Sequence, residues 1–528
     1  MDYDFIIIGS GFGGSVSALR LTEKGYRVLL LEKGRRLGPP DFPKTNWDLR
    51  RWLWFPNLGL RGLFRISFFR HVTIVSGVGV GGGSLVYGNT LPVPQDQFFK
   101  APSWAHLADW KTELAPHYNE VRRMLGAAPN PHLTPADLFL KQVAEDLGRS
   151  KDFKQTEVAV YFGEPGRAVP DPYFGGEGPE RAGCTLCGGC MLGCRFGAKN
   201  TLDKNYLYLA ERRGLRILPE TRATAVRPLE GGGYRVEAIE GLSFFKRRRR
   251  AFTARNVIFS AGVLGTVELL LRLKADPKGL PKISDRLGEF VRTNSEALIG
   301  VVSQRRDIDF SQGVAISSIL HTDEHSHVEP VRYPAGSGFW RLLLAPHVGG
   351  ERAVVRLAQL VGTTVRRPIK LLRALAVPDF ARHSVILLYM RTLDGTISMK
   401  LGRGVLSLFR ARLKTGGATG ERPKASIPEA TDIARRMSEK VEGFPQSLLT
   451  ETLLGIPTTA HILGGCCMGD SPEAGVIDSE HRLFGYEGLY VVDGSAVSAN
   501  PGVNPSLTIA ALAERAMSRI PPKASLDQ

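Results

Sequence analysis

The residues with the plainest chemical meaning are six consecutive positions near the N-terminus, Gly9-Ser10-Gly11-Phe12-Gly13-Gly14. They follow a short apolar run, Phe5-Ile6-Ile7-Ile8, and precede Ser15 to Lys24, in which Val16, Leu19 and Leu21 are apolar. That order predicts a parallel strand buried on both faces, a tight turn and a helix. Gly9 permits the turn, Gly11 lets backbone approach a pyrophosphate, and Gly14 lets the helix pack close to the strand. The helix N-terminus then offers free N–H groups and the positive end of its dipole to phosphates. A second strand, Tyr26 to Leu31, ends in Glu32, whose carboxylate is placed to accept from the hydroxyls of an unphosphorylated ribose. These residues predict a dinucleotide site.

Two further stretches favour FAD over a nicotinamide dinucleotide. Gly77-Val78-Gly79-Val80-Gly81-Gly82-Gly83-Ser84 is a second place where backbone must come close to something, and it runs on into Tyr87-Gly88. At the other end, Leu489-Tyr490-Val491-Val492 reads as a buried strand ending in Asp493-Gly494-Ser495, and a helix from Ser506 to Ile520 follows Asn504-Pro505. A helix N-terminus there would set a second dipole against the electron-rich end of an isoalloxazine ring.

Cys184, Cys187, Cys190 and Cys194 follow the spacing C-x2-C-x2-C-x3-C. The spacing leaves three readings open: a thiol-rich buried turn, an iron–sulfur cluster, or zinc or a disulfide. The usual following proline of a ferredoxin run is replaced by Arg195. A cluster there would drain electrons to a carrier, whereas an open flavin reoxidises on O2.

The elements that must position these residues fit a chain of 528 residues, long enough for about two to four domains. With 43% hydrophobic and 23% charged residues it is an ordinary globular mixture, which excludes a largely disordered chain. The formal charge is +17, yet no zinc finger, RNA-binding signature or long basic helix accompanies it, so no nucleic-acid partner is expected. The basic run Lys246-Arg247-Arg248-Arg249-Arg250, between strand-like Tyr234–Ile239 and Phe252–Ser260, reads as a solvated hairpin end. The middle of the chain, with strand-like His383 to Met390, lacks regular strand–helix alternation and reads as substrate-binding structure. No signal-peptide pattern and no apolar run long enough to span a membrane is seen, so the expected location is cytoplasmic by default.

Several stretches taken together resemble the glucose–methanol–choline (GMC) flavoproteins, and within them the bacterial cholesterol oxidases. They are Ile8 to Ser15, Gly79 to Leu85, Gly197-Ala-Lys-Asn-Thr-Leu-Asp203, His461-Ile-Leu-Gly-Gly465, Leu489 to Ser495, and Gly502-Val-Asn-Pro-Ser506 with Thr508-Ile509-Ala510. The resemblance implies an α/β fold. Its Rossmann-like FAD-binding domain would combine residues 1–100, 183–295 and 455–528, and an α+β substrate domain with an antiparallel sheet would comprise 101–182 and 296–454. It implies FAD contacts at Gly9, Ser10, Gly11, Phe12, Gly13, Gly14, Glu32, Gly79, Gly83, Ser84, Tyr87, Gly88, Ala223, Asp493, Gly494 and Ser506. Tyr87 stands where the best-known members have an Asn. His71 is a weak candidate for covalent flavin attachment.

The same resemblance places a catalytic His and Asn at His461 and Asn504. An imidazole can take the hydroxyl proton of an alcohol as its hydride leaves for the flavin, and an amide can orient the hydroxyl. It further implies that Glu329, in Glu329-Pro-Val-Arg-Tyr-Pro-Ala-Gly336, carries a proton between steroid carbons to give the conjugated enone, with Glu296 as the alternative. Cys466-Cys467 would line or pack against the site. The implied activity is oxidation of a sterol 3-hydroxyl. The alternatives are a dehydrogenase of another lipophilic alcohol that uses a carrier, and a flavin-binding interaction protein without catalysis. An insoluble sterol implies transient contact with a membrane surface. Trp52-Leu53-Trp54-Phe55-Pro56 and Leu63 to Arg70 suit an interfacial lid, unless they pack in the interior.

Overall fold

A computed structural model describes residues 1–242, 247–366, 368–403, 411–417 and 421–524. The N-terminal apolar run forms the strand Tyr3–Ile8, parallel to Val28–Leu31 on one side and to the end of the long strand Arg248–Phe259 on the other. Arg216–Leu218 extends the sheet beyond Val28–Leu31, and Leu489–Val491 pairs in parallel with Val257–Phe259. The strand ends at Ile8, Leu31, Phe259 and Val491 therefore share one edge, where a doubly wound sheet binds its ligand. The first half of Arg248–Phe259 instead pairs antiparallel with Tyr234–Glu240, which pairs with Thr221–Pro228. The expected basic hairpin is present: Arg248, Arg249 and Arg250 are exposed, and Arg250 Nε donates to Glu240 Oε2 at 2.7 Å; Lys246 lies outside the described residues.

The helix Phe12–Glu23 leaves the glycine turn and packs on the C-terminal helix Ser506–Ser518, so the two chain ends share one core. Their contact is fixed by charge as well: Arg20 lies between Glu514 at 2.7 Å and Glu120 at 2.6 Å, and Tyr206 donates to Glu514 at 2.7 Å. Within the segment 101–182, helix Trp110–Met124 packs in this nucleotide-binding core, whereas helix Pro135–Asp146 packs beneath the antiparallel sheet.

That sheet has seven strands in the order Leu344–Pro346, Gly443–Leu448, Ala297–Ser303, Ser384–Arg391, Ser326–Val331, Ser318–His321, Phe153–Gln155. The two-residue alternation of a strand divides its side chains. Val385, Leu387 and Tyr389 pack on helices Pro135–Asp146 and Pro428–Lys440, while Leu388 and Met390 join Ile316 and Val331 on the other face. The register sets Glu329 opposite Leu388 and His327 opposite Met390, so the carboxylate shares that second face.

The aromatic stretches are mostly interior, although Phe68 is 63% exposed and Phe55 and Phe69 are half-buried. Trp52, Leu53, Trp54, Leu63, Phe64 and Ile66 are buried, and Trp52 stacks on Phe64 at 5.2 Å and meets Phe339 and Trp340 edge-on. Apolar neighbours from a distant segment cover them, which composition could not foretell. Among the described residues no helix is long and apolar enough to cross a membrane.

Candidate active site

The two glycine stretches are stitched together by one serine. Ser10 Oγ donates to the Gly79 carbonyl at 3.2 Å or to Glu32 Oε2 at 2.7 Å, and accepts from the Gly81 amide at 3.1 Å. Glu32 is buried at the end of its strand; Oε2 accepts from the Ser10 amide at 3.1 Å and Oε1 from the Gly34 amide at 2.8 Å. The Thr221 amide donates to the Glu32 carbonyl, which brings Ala223, two residues on, to the same end of the sheet. Ser84 Oγ donates to Gly81 and accepts from the Leu202 amide, while the Tyr87 hydroxyl donates to the Asn200 carbonyl at 2.7 Å.

The glycines divide by what surrounds them. A Cβ on Gly9 would strike Ser260, on Gly13 the Val492 carbonyl, on Gly14 the Gly9 carbonyl, and on Gly88 the side chain of Ile316. Gly11 has nothing of the protein within 4 Å of such a Cβ, although it caps helix Phe12–Glu23 with no side chain bonded over the first amides. Open space before a bare helix N-terminus fits a pyrophosphate. Residues Ser10 to Gly14, Gly79 to Gly83, Glu32, Ala223 and the 493–506 segment would hold FAD. Asp493 acts first on the protein: buried and shifted upward by that burial, it accepts from Ser495 and caps helix Gly262–Ala275 through the Gly262 amide and Thr266 Oγ1.

His461 is tied to the same edge, because the Gly464 amide donates to the Gly494 carbonyl at 2.9 Å. Its Nδ1 donates to Glu296 Oε2 at 2.7 Å, and the Ala460 amide donates to Glu296 Oε1 at 2.6 Å. The Thr459 hydroxyl accepts from the His461 amide and donates to the Thr293 carbonyl. Burial by itself would lower the affinity of the imidazole for its proton, but the Glu296 carboxylate outweighs it and the net shift is upward. With Nδ1–H committed to Glu296, Nε2 is the free nitrogen. Glu451 stands behind this pair; burial, with the Glu296 charge, pushes its carboxyl up to about 8, and it accepts from the Thr458 amide at 3.1 Å.

The resemblance alone implies for Glu296 only the role of an alternative proton carrier for the steroid. Its partner is 165 residues away in the chain, and only a local oddity hints at the placement: Asn294 and Ser295, neither a glycine, adopt left-handed backbone with φ of 61° and 44°. Asn294 was missed altogether. Its Nδ2 lies 3.0 Å from the Val503 carbonyl and 3.1 Å from Met390 Sδ, which draws Asn504 to the wall formed by Met390 and Leu388. Glu329 is fully buried on that wall, 3.5 Å from His327 Nε2, and its charge helps to raise the His461 imidazole. Asn504 Oδ1, Asn294 Oδ1 and both Glu329 oxygens are buried with no hydrogen-bond partner among the described residues. Orphaned oxygens in an apolar wall mark a place where a polar group of a ligand bonds.

All six cysteines are free thiols. Among the described residues no group of three or more His, Cys, Asp or Glu side chains is arranged to hold a metal ion, so the iron–sulfur reading of Cys184, Cys187, Cys190 and Cys194 has no support. The spacing brings all four residues to the lining of one cavity. Cys184 Sγ accepts from the Leu186 amide and Cys194 Sγ from the Lys199 amide, and burial raises the Cys184 and Cys190 thiols. Lys199 is locked beneath them by the Cys190 and Leu85 carbonyls, 4.6 Å from the centre of the Tyr87 ring; burial pulls its ammonium down to about 7. Cys466 and Cys467 pack under the His461 segment, where Arg292 donates to Cys467 Sγ. His71 Nδ1 lies 2.9 Å from Thr415 Oγ1, a partner outside the glycine stretches.

Residues 7–40 match the family model described as NAD(P)-binding Rossmann-like domain, and 179–287 and 404–513 match those described as GMC oxidoreductase. The chain is 47% identical to a cholesterol oxidase of Acinetobacter baumannii, over all of this chain and 96% of that protein. It is also 47% identical to a cholesterol oxidase of Mycobacterium tuberculosis, over all of this chain and 92% of that protein. It is 25% identical to 2-methyl-1,2-propanediol dehydrogenase of Mycolicibacterium austroafricanum, over 97% of this chain and 94% of that one. The crystal structure of pyridoxine 4-oxidase from Mesorbium loti shares the fold, with a TM-score of 0.62 at 17% identity over 98% of both chains. The chain belongs to the GMC oxidoreductases and is an FAD-dependent alcohol oxidoreductase.

Proposed function

We propose that the protein oxidises the 3-hydroxyl of a sterol, with FAD as hydride acceptor and O2 as final oxidant. The observation that carries this reading is the Glu296–His461 pair, whose imidazole feels the charge of Glu329 on the wall of Ile316, Val331, Leu388 and Met390, where Asn294 also bonds the Val503 carbonyl next to Asn504. FAD supplies the two-electron acceptor when bound. Nε2 of His461 takes the hydroxyl proton, Glu296 holds the ring in the tautomer that leaves Nε2 free, and the Asn504 carboxamide orients the substrate oxygen by donating to it from Nδ2. The apolar wall suits a fused-ring substrate, and the three 47% identical relatives are each named cholesterol oxidase. Glu329 lies on that same wall and serves as the base that moves the double bond into conjugation. A substrate of this kind is met at a lipid surface.

The test is anaerobic mixing of the FAD-loaded protein with a panel of 3-hydroxysteroids and acyclic lipophilic alcohols. Rapid bleaching of the flavin by the steroids is expected. Bleaching by the acyclic alcohols alone would reassign the substrate, and no bleaching by any alcohol would overturn the catalytic reading.

A further inference from the structure

We propose that helices Ala353–Arg366, Pro368–Leu375 and Leu449–Leu454 form the face by which the protein docks on an anionic lipid surface; this rests on the reading of a lipophilic substrate and locates its entry. Helix Ala353–Arg366 is built inside out. Its buried side chain is Arg356, while Val354, Leu357, Val361 and Val365 are 79%, 56%, 55% and 71% exposed. Their spacing of three, four and four residues places them on one stripe. Pro368–Leu375 packs against this helix and turns Ile369 and Leu372 outward. Leu449–Leu454 packs on it too, and exposes Leu449, Leu453 and Leu454. A soluble surface tolerates single exposed aliphatic residues, but a contiguous set on three packed helices marks an interaction site.

Charge selects the occupant. From Arg352 to Pro378 the sequence has six basic residues and no acidic one. Arg352, Arg366, Lys370 and Arg373 are exposed around the apolar stripe. A second copy bringing the same patch would oppose positive charge with positive charge. An anionic bilayer accepts both features at once, the aliphatic stripe among the acyl chains and the cations at the headgroups. At 14 and 8 residues the helices are too short to span a bilayer and suited to lying in its surface.

The face is bolted to the candidate active site. The Arg356 guanidinium donates to the Thr452 carbonyl at 3.1 Å and to the Gly350 and Glu351 carbonyls at 3.1 and 2.7 Å, and Gly455 packs against it. From Thr452 the chain runs directly to Thr458, bonded by Glu451, and on to His461. Docking would set the segment that carries the imidazole next to the membrane.

The test uses full-length, FAD-loaded protein and sterol-free vesicles, so that binding is read without turnover. Flotation with phosphatidylcholine vesicles containing phosphatidylglycerol is expected, weaker with phosphatidylcholine alone and weaker in high salt. The double variant Leu357→Asp/Val361→Asp should lower the bound fraction at least tenfold, and Arg366→Glu/Lys370→Glu should abolish the preference for anionic vesicles. Both pairs are exposed, so flavin absorbance and melting temperature should match wild type. Wild-type protein that fails to float, or variants that float equally, would overturn the proposal. Self-association of the wild type in sedimentation velocity, lost in Leu357→Asp/Val361→Asp, would assign the face to a second copy instead. Failure of sterol to bleach the flavin would leave this result untouched, so the two readings fail separately.

Discussion

Replacing Glu296 by Gln keeps the size of the side chain and removes the charge that orients His461. In the wild type Oε2 accepts from Nδ1 at 2.7 Å and Oε1 from the Ala460 amide at 2.6 Å. A carboxamide can keep only one acceptor. If its oxygen stays on Ala460, its NH2 faces Nδ1, which turns the ring to the tautomer with the proton on Nε2 and blocks it as a base. A hydrogen bond to a charged group contributes about 1.5–3 kcal/mol. Losing that stabilisation as the imidazolium forms should slow flavin reduction about 10- to 150-fold. The pH dependence gives an independent readout. Glu296 holds the His461 pKa above its ordinary value of 6.5, so the acid limb of the reduction rate should lie above that pH. In Glu296→Gln burial is opposed only by the weaker influence of the Glu329 charge, and the limb should move to lower pH. The sign for stability runs alongside: a raised folded-state pKa stabilises the protein below the unfolded pKa, and this is lost as pH rises through the folded one. The variant should therefore lose most of its relative stability on the acidic side. Anaerobic stopped-flow across pH reads the rate, and thermal melts read the stability. A rate within twofold of wild type with an unmoved acid limb would refute the positioning role.

Asn504→Ala should reduce flavin reduction about 10- to 100-fold, the cost of one orienting hydrogen bond to the reacting group, with little change in melting temperature, because Asn504 Oδ1 has no partner among the described residues. Glu329→Gln should leave alcohol oxidation near wild type but yield the unconjugated ketone, which product chromatography distinguishes. It should also raise the melting temperature, since it removes a fully buried carboxylate whose two oxygens lack hydrogen bonds among the described residues.

What the sequence disclosed follows the range of the interactions involved. The turn Gly9–Gly14 and its flanking elements are local, so their residue types alone announce the strand, the helix and the open space at Gly11. His461 and Asn504 carry no such local mark and were found only through resemblance. The Glu296–His461 bond joins segments 165 residues apart, and nothing in the spacing of either segment encodes it. The aromatic stretch around Trp52 had the right composition for a lid, but Phe339 and Trp340, nearly three hundred residues away in the chain, cover it. The exposed stripe Val354, Leu357, Val361, Val365 was readable from its period; only burial shows that the stripe faces outward while Arg356 faces in. The cysteine spacing likewise fixed a turn and not the directions of four sulfurs.

The central claim is that backbone at the first glycine turn holds FAD, and Gly11→Ala tests it most directly. Gly11 has φ −70° and ψ −167°, extended backbone open to any residue, and the added methyl meets no protein atom within 4 Å. The apoprotein should therefore melt at the wild-type temperature while its affinity for FAD, titrated by flavin fluorescence, falls at least tenfold. Wild-type FAD affinity in Gly11→Ala would contradict this placement, and a wild-type chain that binds no FAD would contradict it altogether.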